Sequence, residues 1–511
     1  MGNSTEHNVY DYIIIGSGLG GLICACILSK EGYKVLVLEK NKQIGGNLQI
    51  FSRDKLIFDT GVHYIGGLDE GQNLNRYFSY LGIMKDLKLE KLKNEGFDKI
   101  FFSKQNRSFE IPQGYENFIE KLLKEFPHEA EGIRSYAQRL KNCCEKFPLF
   151  NLEDINYDLY EPDLRQSVWD ALHEYFKDAH LIGILLGNQI LYAGNPKSTP
   201  FYVHALTFYS YLQGAYKCLK GGNQIALLLA REIRKNKGEI LKLHEVETIH
   251  IDDLGNVEYV ETQNAKKFYG KNYISNIPPK KWVEKCRNFT FKKSYKKRLA
   301  SKKETISSFN IYIKLKDRCI PYSKQNYYFL EDVEGVDRLE KYEEKNWPTS
   351  FMLCQNEDPE NKNWCESLSV FSYLEFSEVE KWKDSFNTVE KPGVRGEDYE
   401  KFKEEKSQLF IEKITQLFPQ IKDSIESIYS SSPLTQRDYL GNERGEIYGF
   451  TKEIHDPYLN LTPPTTPIKN LHQTGQYLSM HGILGVTINA ILTCSSILGK
   501  SYLVDKIKKS T

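Results

Sequence analysis

The 511-residue chain is too long for one ordinary hydrophobic core, so two or three domains are expected. Apolar residues make up 40% and charged residues 27%, the balance of a folded globular chain, and a net charge of +1 excludes a global field that would recruit nucleic acid. Aromatics are plentiful at 13%, with 33 Tyr and 27 Phe, which fits a compositional bias and a pocket for a long apolar ligand equally well.

Met1–Asp11 is polar and lacks the apolar stretch of a secretory signal. The 10 Cys include no CxxC pair, which argues against a zinc or iron–sulfur site and fits a reducing compartment. Tyr12-Ile13-Ile14-Ile15 reads as a strand, Leu22 to Leu28 as a helix, and Val35-Leu36-Val37-Leu38 as a second strand ending at Glu39. Between the first two lie Gly16, Gly18 and Gly21. This is the dinucleotide fingerprint in its βαβ context. The first glycine permits the tight turn, the second lets backbone approach a pyrophosphate, and the third lets helix and strand pack closely. The helix N-terminus offers free N–H groups to the pyrophosphate, and Glu39 can accept from ribose hydroxyls. Cys24 and Cys26, like Cys494 near the other end, read as small buried hydrophobes.

Residues from about 101 to 214 are predicted to be mainly helical. Leu181 to Ala193 reads as a buried helix. The aromatic run Phe201 to Tyr211 fits a ligand tunnel wall and an ordinary core helix equally. Lys220-Gly221-Gly222-Asn223 opens a helix over 224–235, followed by strands at 239–243, 246–251 and 257–262, the last after the turn Asp253-Leu254-Gly255-Asn256. A basic run from Lys292 to Lys303 reads as a solvated helix face, with contact to anionic lipid as the rival reading. Asn310 to Leu315 alternates like a strand that lines a pocket. Residues 355–405 are highly charged and are expected to include solvated loops. Leu471 to Gln476 reads as a strand ending in a glycine turn, and a helix is predicted from about Gly485 to Ser501. Ile483–Leu498 is 16 residues with five hydroxyl or amide side chains, short of the roughly 20 apolar residues a membrane span needs. The location expected is therefore cytoplasmic or peripherally membrane-associated.

Together these pieces resemble the FAD-dependent polyene oxidoreductases: phytoene desaturases, carotenoid isomerases and retinol saturases. The resemblance is carried by Gly16-Ser17-Gly18-Leu19-Gly20-Gly21 with Glu39-Lys40, and by Gly45-Gly46-Asn47, similar to the family's second glycine pair with Asn47 a modest departure. Phe58-Asp59-Thr60-Gly61-Val62-His63-Tyr64-Ile65-Gly66 resembles the retinol-saturase branch. So does the ending, Thr474-Gly475-Gln476, Gly482, Gly485-Val486 and the helix carrying Cys494. These segments cover the N-terminal 70 residues, 215–280 and the final 50.

The resemblance implies an α/β fold: a Rossmann-like FAD-binding domain of the flavin amine oxidase/phytoene desaturase type with an inserted α+β substrate domain. The FAD domain is expected to be discontinuous, from 1–100, 215–285 and 440–511, with the substrate domain built from 101–214 and 286–439. FAD rather than NAD then occupies the fingerprint, a choice the motif alone leaves open because both share an ADP half. Val246 resembles the position whose backbone meets adenine. Gly475, Gln476 and the helix at Gly485-Val486 return to the flavin, where a helix N-terminus stabilises the charge of its reduced form.

By the same resemblance His63 lies near the flavin, as a proton donor or as packing for the ring, with Tyr64 a second candidate. Asp59 reads as a loop-ordering acceptor rather than a base. No metal-ligand spacing is present. The activity expected is FAD-dependent oxidoreduction at a C=C bond of an apolar polyene or isoprenoid, first as saturation of a retinol-like or carotenoid-like substrate. Desaturation or cis–trans isomerisation in the same fold is the alternative. A prenyl-binding chaperone like the GDP-dissociation inhibitors is a rival from another class, against which the intact fingerprint argues, and a flavin amine oxidase is another. A separate electron donor or acceptor is expected, because only one dinucleotide fingerprint is present.

Overall fold

Val9–Ile15 (β1), Leu19–Lys30 (α1) and Val35–Leu38 (β2) form the βαβ unit predicted at the N-terminus. The computed structural model describes residues 8–147, 149–152, 161–333, 335–336 and 344–510. β2 is buried throughout, and β1 from Ile13 onward, so their side chains run apolar without alternation, as strands covered on both faces do. α1 is buried along all but its last residue, between helices Asn223–Lys235 and Gly482–Leu498. Cys24, Cys26 and Cys494 are fully buried in that packing.

β1 pairs in parallel with β2 and with Lys267–Ser275. Glu239–Leu241 continues the parallel sheet beyond β2, and Leu471–Gln473 continues it beyond Lys267–Ser275. Strands Val257–Thr262 and Val246–Ile251 add antiparallel pairings on the far part of Lys267–Ser275. The parallel strands end together, so that Gly16, Glu39, Asn276 and Thr474 follow their carboxyl ends. Open parallel sheets bind ligands at that edge.

A second, seven-stranded sheet runs in the order Ile425–Ser431, Ser307–Leu315, Cys365–Leu374, Ser350–Glu357, Asn326–Leu330, Asp98–Phe102, Arg107–Ile111. Its pairings are antiparallel except Asn326–Leu330 with Asp98–Phe102. One face packs on the helical core of residues 115–213. The other holds Phe309, Ile311, Ile313, Leu353 and Phe410.

Several sequence expectations change here. The stretch from residue 101 is not helical from its start, because Asp98–Phe102 and Arg107–Ile111 form a hairpin before the helices begin. The charged stretch 355–405 includes the expected loops, at 358–364 and 383–396, but between them also the central strand Cys365–Leu374, whose interior is almost wholly buried; charged neighbours on both sides mask its apolar pattern. Leu181–Ala193 divides into helix Ala179–Leu186 and a 3-10 turn, Gln189–Leu191. The C-terminal helix starts three residues early, at Gly482, and stops at Leu498. Gly499 at φ +93° separates it from Lys500–Lys509. Helix Lys293–Ser301 has no buried residue, which fits a solvated basic face and a lipid-facing one alike. Among the described residues no helix is long and apolar enough to cross a membrane.

Candidate functional site

The fingerprint opens onto one cavity of about 1120 Å³, larger than the roughly 300–1,000 Å³ of a site for one drug-sized molecule. Gly16, Gly18, Leu19, Gly20, Glu39, Lys40, Gly45, Gly46, Asn47, His63, Tyr64, Val246, Gly475, Gln476 and Val486 all line it. Gly21 and Gly485 do not. A Cβ on Gly21 would lie 2.3 Å from the Gly16 carbonyl oxygen, and one on Gly485 would lie 2.5 Å from Met480 Cβ, so both are packing glycines.

Two helix N-termini meet the cavity. α1 begins after Gly18 and Gly482–Leu498 begins after His481, and neither has a side-chain cap on its first-turn N–H groups. Uncapped first turns present unsatisfied donors and the positive end of the helix dipole, which together suit an anion. Gly46 lies against Gly18 closely enough that a Cβ on it would be 3.2 Å from the Gly18 Cα. The two glycine segments are thus one cradle with a bare backbone floor.

Glu39 stands at the end of β2 with its carboxylate fixed. Oε2 accepts from the Ser17 backbone N–H at 2.9 Å and the Ser17 hydroxyl at 2.6 Å, and Oε1 accepts from the Asn41 N–H at 2.8 Å. A carboxylate has about four lone-pair positions, so one acceptor direction remains for a ligand. Lys40 gives its ammonium to the Asp438 carbonyl at 2.9 Å, and burial draws its pKa below the usual lysine value against the pull of Glu245, Glu39 and Asp438.

Asn276 is a site residue that the motif reading passes over. It follows strand Lys267–Ser275, and its side chain occupies the space that Cβ atoms on Gly18, Gly20 and Gly475 would need, at 2.5, 2.8 and 2.8 Å. Its position comes from the pairing of Lys267–Ser275 with β1, a contact between distant segments that no local pattern announces.

The other end of the cavity is aromatic and apolar. His63, Tyr64, Tyr211, Met352, Phe371 and Tyr448 line it. His63 stacks on Phe371 with ring centroids 5.4 Å apart and planes at 11°. Burial, with a smaller push from Lys217, lowers its pKa to about 4, so the imidazole is neutral at pH 7. Asp59 accepts from the Gly222 N–H at 2.7 Å, as its reading as a loop anchor requires, and burial raises its pKa to about 6. Ser308 and Asn310, at the start of strand Ser307–Leu315, reach the cavity. Of the aromatic run Phe201–Tyr211, Tyr211 alone does so; the rest belongs to a core helix, which removes the tunnel-wall reading for it.

Comparison with known proteins agrees with this geometry. Residues 14–81 match a family described as an NAD(P)-binding Rossmann-like domain. The chain is 29% identical to the all-trans-retinol 13,14-reductase of Rattus norvegicus, over 97% of this chain and 86% of that protein. It is 26% identical to prolycopene isomerase 2 of an Oncidium hybrid cultivar, over 96% of this chain and 84% of that protein. The resemblance carried by the terminal motifs therefore extends through the middle of the chain. Putrescine oxidase shares the fold, with a TM-score of 0.61 at 13% identity, covering 96% of this chain and 99% of that chain. The chain is an α/β protein with a Rossmann-like segment and a nucleotide-type cofactor fold.

Proposed function

We propose that this chain is an FAD-dependent oxidoreductase acting on a C=C bond of an apolar polyene or isoprenoid, saturating a retinol-like or carotenoid-like substrate. The observation that carries the reading is one cavity in which two uncapped helix N-termini and Glu39 share walls with an aromatic chamber. Similarity over nearly the whole chain to a retinol reductase supports the choice of substrate.

In this reading the discontinuous segments 1–100, 215–285 and 440–511 hold the cofactor, and 101–214 with 286–439 form the substrate side. The first turn of α1 holds the pyrophosphate over Gly18 and Gly20, beside Gly45, Gly46 and Asn47. Glu39 takes a ribose hydroxyl, Lys40 flanks it, and Val246 backs the adenine. Gly475, Gln476 and the first turn of Gly482–Leu498 face the flavin ring, where positive dipole ends favour negative charge. Bound flavin supplies two-electron redox chemistry at the chamber. His63, neutral and stacked on Phe371, packs against the ring and is not the resting acid. An isolated polyene has no carbonyl to take up electron density, so saturation needs a proton donor in the chamber, and of the phenols at that wall, Tyr64, Tyr211 and Tyr448, Tyr64 is the one hydrogen-bonded to a buried carboxyl group. Aromatic faces such as Tyr211 and Tyr448 stabilise the allylic cation that protonation creates.

The 26% identity to a prolycopene isomerase favours isomerisation as the second reading. Under either reading the substrate comes from a membrane through peripheral contact, and a separate electron donor or acceptor sets the flavin's redox state. The purified protein should be yellow, and acid release should yield FAD in a near-stoichiometric amount. A colourless protein that does not take up added FAD would instead favour a prenyl-binding chaperone.

A further inference from the structure

Behind the aromatic chamber lies a buried carboxyl group. Asp98 begins strand Asp98–Phe102 and is fully buried. Its Oδ1 accepts from Asn326 Nδ2 at 3.0 Å, and its Oδ2 accepts from the Tyr64 hydroxyl at 2.9 Å. The Tyr64 hydroxyl in turn lies 2.6 Å from the Tyr328 hydroxyl. Tyr64 lines the cavity, and its ring stacks on Tyr211 at 4.2 Å between centroids. Among the described residues no Lys, Arg or His forms an ion pair with Asp98.

The placement follows from strand pairing. Asp98 lies opposite Asn326 in the parallel register of their strands, and Tyr328 is two residues on, on the same face. Tyr64 enters that face from the loop before Ile65–Gly66. A carboxyl group in this position has two neutral acceptor-donors and one amide donor around it. An O···O distance of 2.9 Å serves either polarity, a carboxylate accepting from phenol or a carboxylic acid donating to it.

We infer that Asp98 is a proton reservoir for the cavity, delivering through the Tyr64 hydroxyl, with Tyr328 holding that hydroxyl in line. The inference rests on the proposed polyene reaction and adds to it the source of the proton. The groups facing Asp98 are Tyr64 from the loop, Tyr328 and Asn326 from one strand, Cys354 from the next and Tyr211 from the helix. Burial dominates among them and lifts the Asp98 carboxyl to about 7, so the group is protonated below about that pH. His63, lowered to about 4, is uncharged near that pH.

The balance closes within the proposed reaction. The Tyr64 proton passes to one carbon of the double bond, whose π pair becomes the new C–H bond. The Asp98 proton passes to the Tyr64 oxygen, leaving Asp98 as a carboxylate. The neighbouring carbon, now cationic, needs a hydride, which bound reduced flavin would supply, and a separate donor of the reduced-nicotinamide class would restore that flavin. Between turnovers Asp98 regains its proton through the Tyr64 hydroxyl, from solvent that refills the cavity. Tyr64 is the catalytic residue of this pair, and Asp98 acts only through it.

The test is infrared difference spectroscopy of the flavin-loaded protein across pH 5 to 9, paired with the pH dependence of polyene reduction. Wild type should show the carbonyl stretch of a neutral carboxylic acid that disappears as pH rises through about 7, absent from Asp98→Asn and shifted in frequency by Tyr64→Phe and by Tyr328→Phe. Reduction should fall at high pH in wild type and lose that limb in Asp98→Asn, with turnover about 10²-fold lower. If Asp98→Asn does not fold, the two phenylalanine variants carry the test, since each leaves the carboxyl in place. A band unchanged by all three substitutions, or the same pH limb in Asp98→Asn as in wild type, would overturn the reservoir and leave the polyene reading standing. An intact Asp98 band with no polyene converted would remove the substrate reading, and delivery with it, while leaving the buried acid.

Discussion

Ser17 donates twice to Glu39 Oε2, through its backbone N–H at 2.9 Å and its hydroxyl at 2.6 Å. The residue inside the glycine turn thereby aims the acid at the end of the second strand, 22 positions away. Glu39→Ala removes the proposed acceptor for the ribose and leaves Ser17 without its partner. Hydrogen bonds to a charged group contribute about 1.5–3 kcal/mol each, so FAD should dissociate at a concentration roughly ten to a hundred times higher. Equilibrium dialysis of the cofactor checks this, and unchanged retention would remove Glu39 from the proposed site.

Gly475 adopts φ +99°, and a Cβ there would lie 2.8 Å from Asn276 Oδ1. Gly475→Ala therefore meets both backbone strain and a side chain already wedged among the glycines. A non-glycine residue held in such a conformation costs on the order of 1–3 kcal/mol. The denaturant midpoint should fall, and flavin absorbance should fall with it. A variant as stable as wild type with full flavin content would show that the turn relaxes away from the cavity.

How much of this was legible in the sequence differs along the chain. The βαβ unit was readable because each determinant is local: apolar strands, three glycines and an acid at fixed spacing. Strand Leu471–Gln473 was readable for the same reason. Asn276 was not, since it matters only because Lys267–Ser275 pairs with β1. Asp98 lay in a stretch of ordinary polarity, and its isolation from solvent comes from a sheet closed by Asn326–Leu330 more than 220 residues later. Strand Cys365–Leu374 was obscured by charged flanks. The start of the C-terminal helix was missed by three residues because His481 supplies no side-chain cap to mark it.

Arg395 and Asp438 form an ion pair whose side chains are 5% and 0% exposed, and Arg437 contacts the other Asp438 oxygen at 2.7 Å. Asp438 also accepts from the Asn387 N–H at 2.8 Å, and the pair fastens segment 385–395, whose Phe386, Thr388 and Val389 are cavity wall residues. Arg395→Ala leaves a buried carboxylate with one cation, which should cost about 3 kcal/mol, the lower end for breaking a buried pair. Limited proteolysis should then cut first within this segment. Unaltered stability and cleavage would mean that Arg437 alone satisfies Asp438.

His204 donates or accepts with Tyr136 at 2.8 Å in the helical core, and burial lowers its pKa to about 3. An unfolded histidine titrates near 6.5. Below that pH the unfolded chain binds a proton that the folded chain refuses, so the contribution of His204 to stability is complete above pH 6.5 and drains away as pH falls toward 3. His204→Gln removes that term. Relative to wild type, its stability should fall about 3 kcal/mol less between pH 6.5 and 4. Denaturant melts at the two pH values decide the matter, and parallel losses in both proteins would contradict a neutral buried imidazole.

The most direct test of the central claim is the mass change of a panel of polyenes incubated without oxygen with the flavin-loaded, photoreduced protein. The account predicts that a retinol-like or carotenoid-like compound gains two hydrogens, and two deuterium atoms when the incubation is run in heavy water. The contrary result is a panel unchanged in mass and geometry with the flavin in either redox state, which would leave the chain a cofactor-binding fold without polyene chemistry.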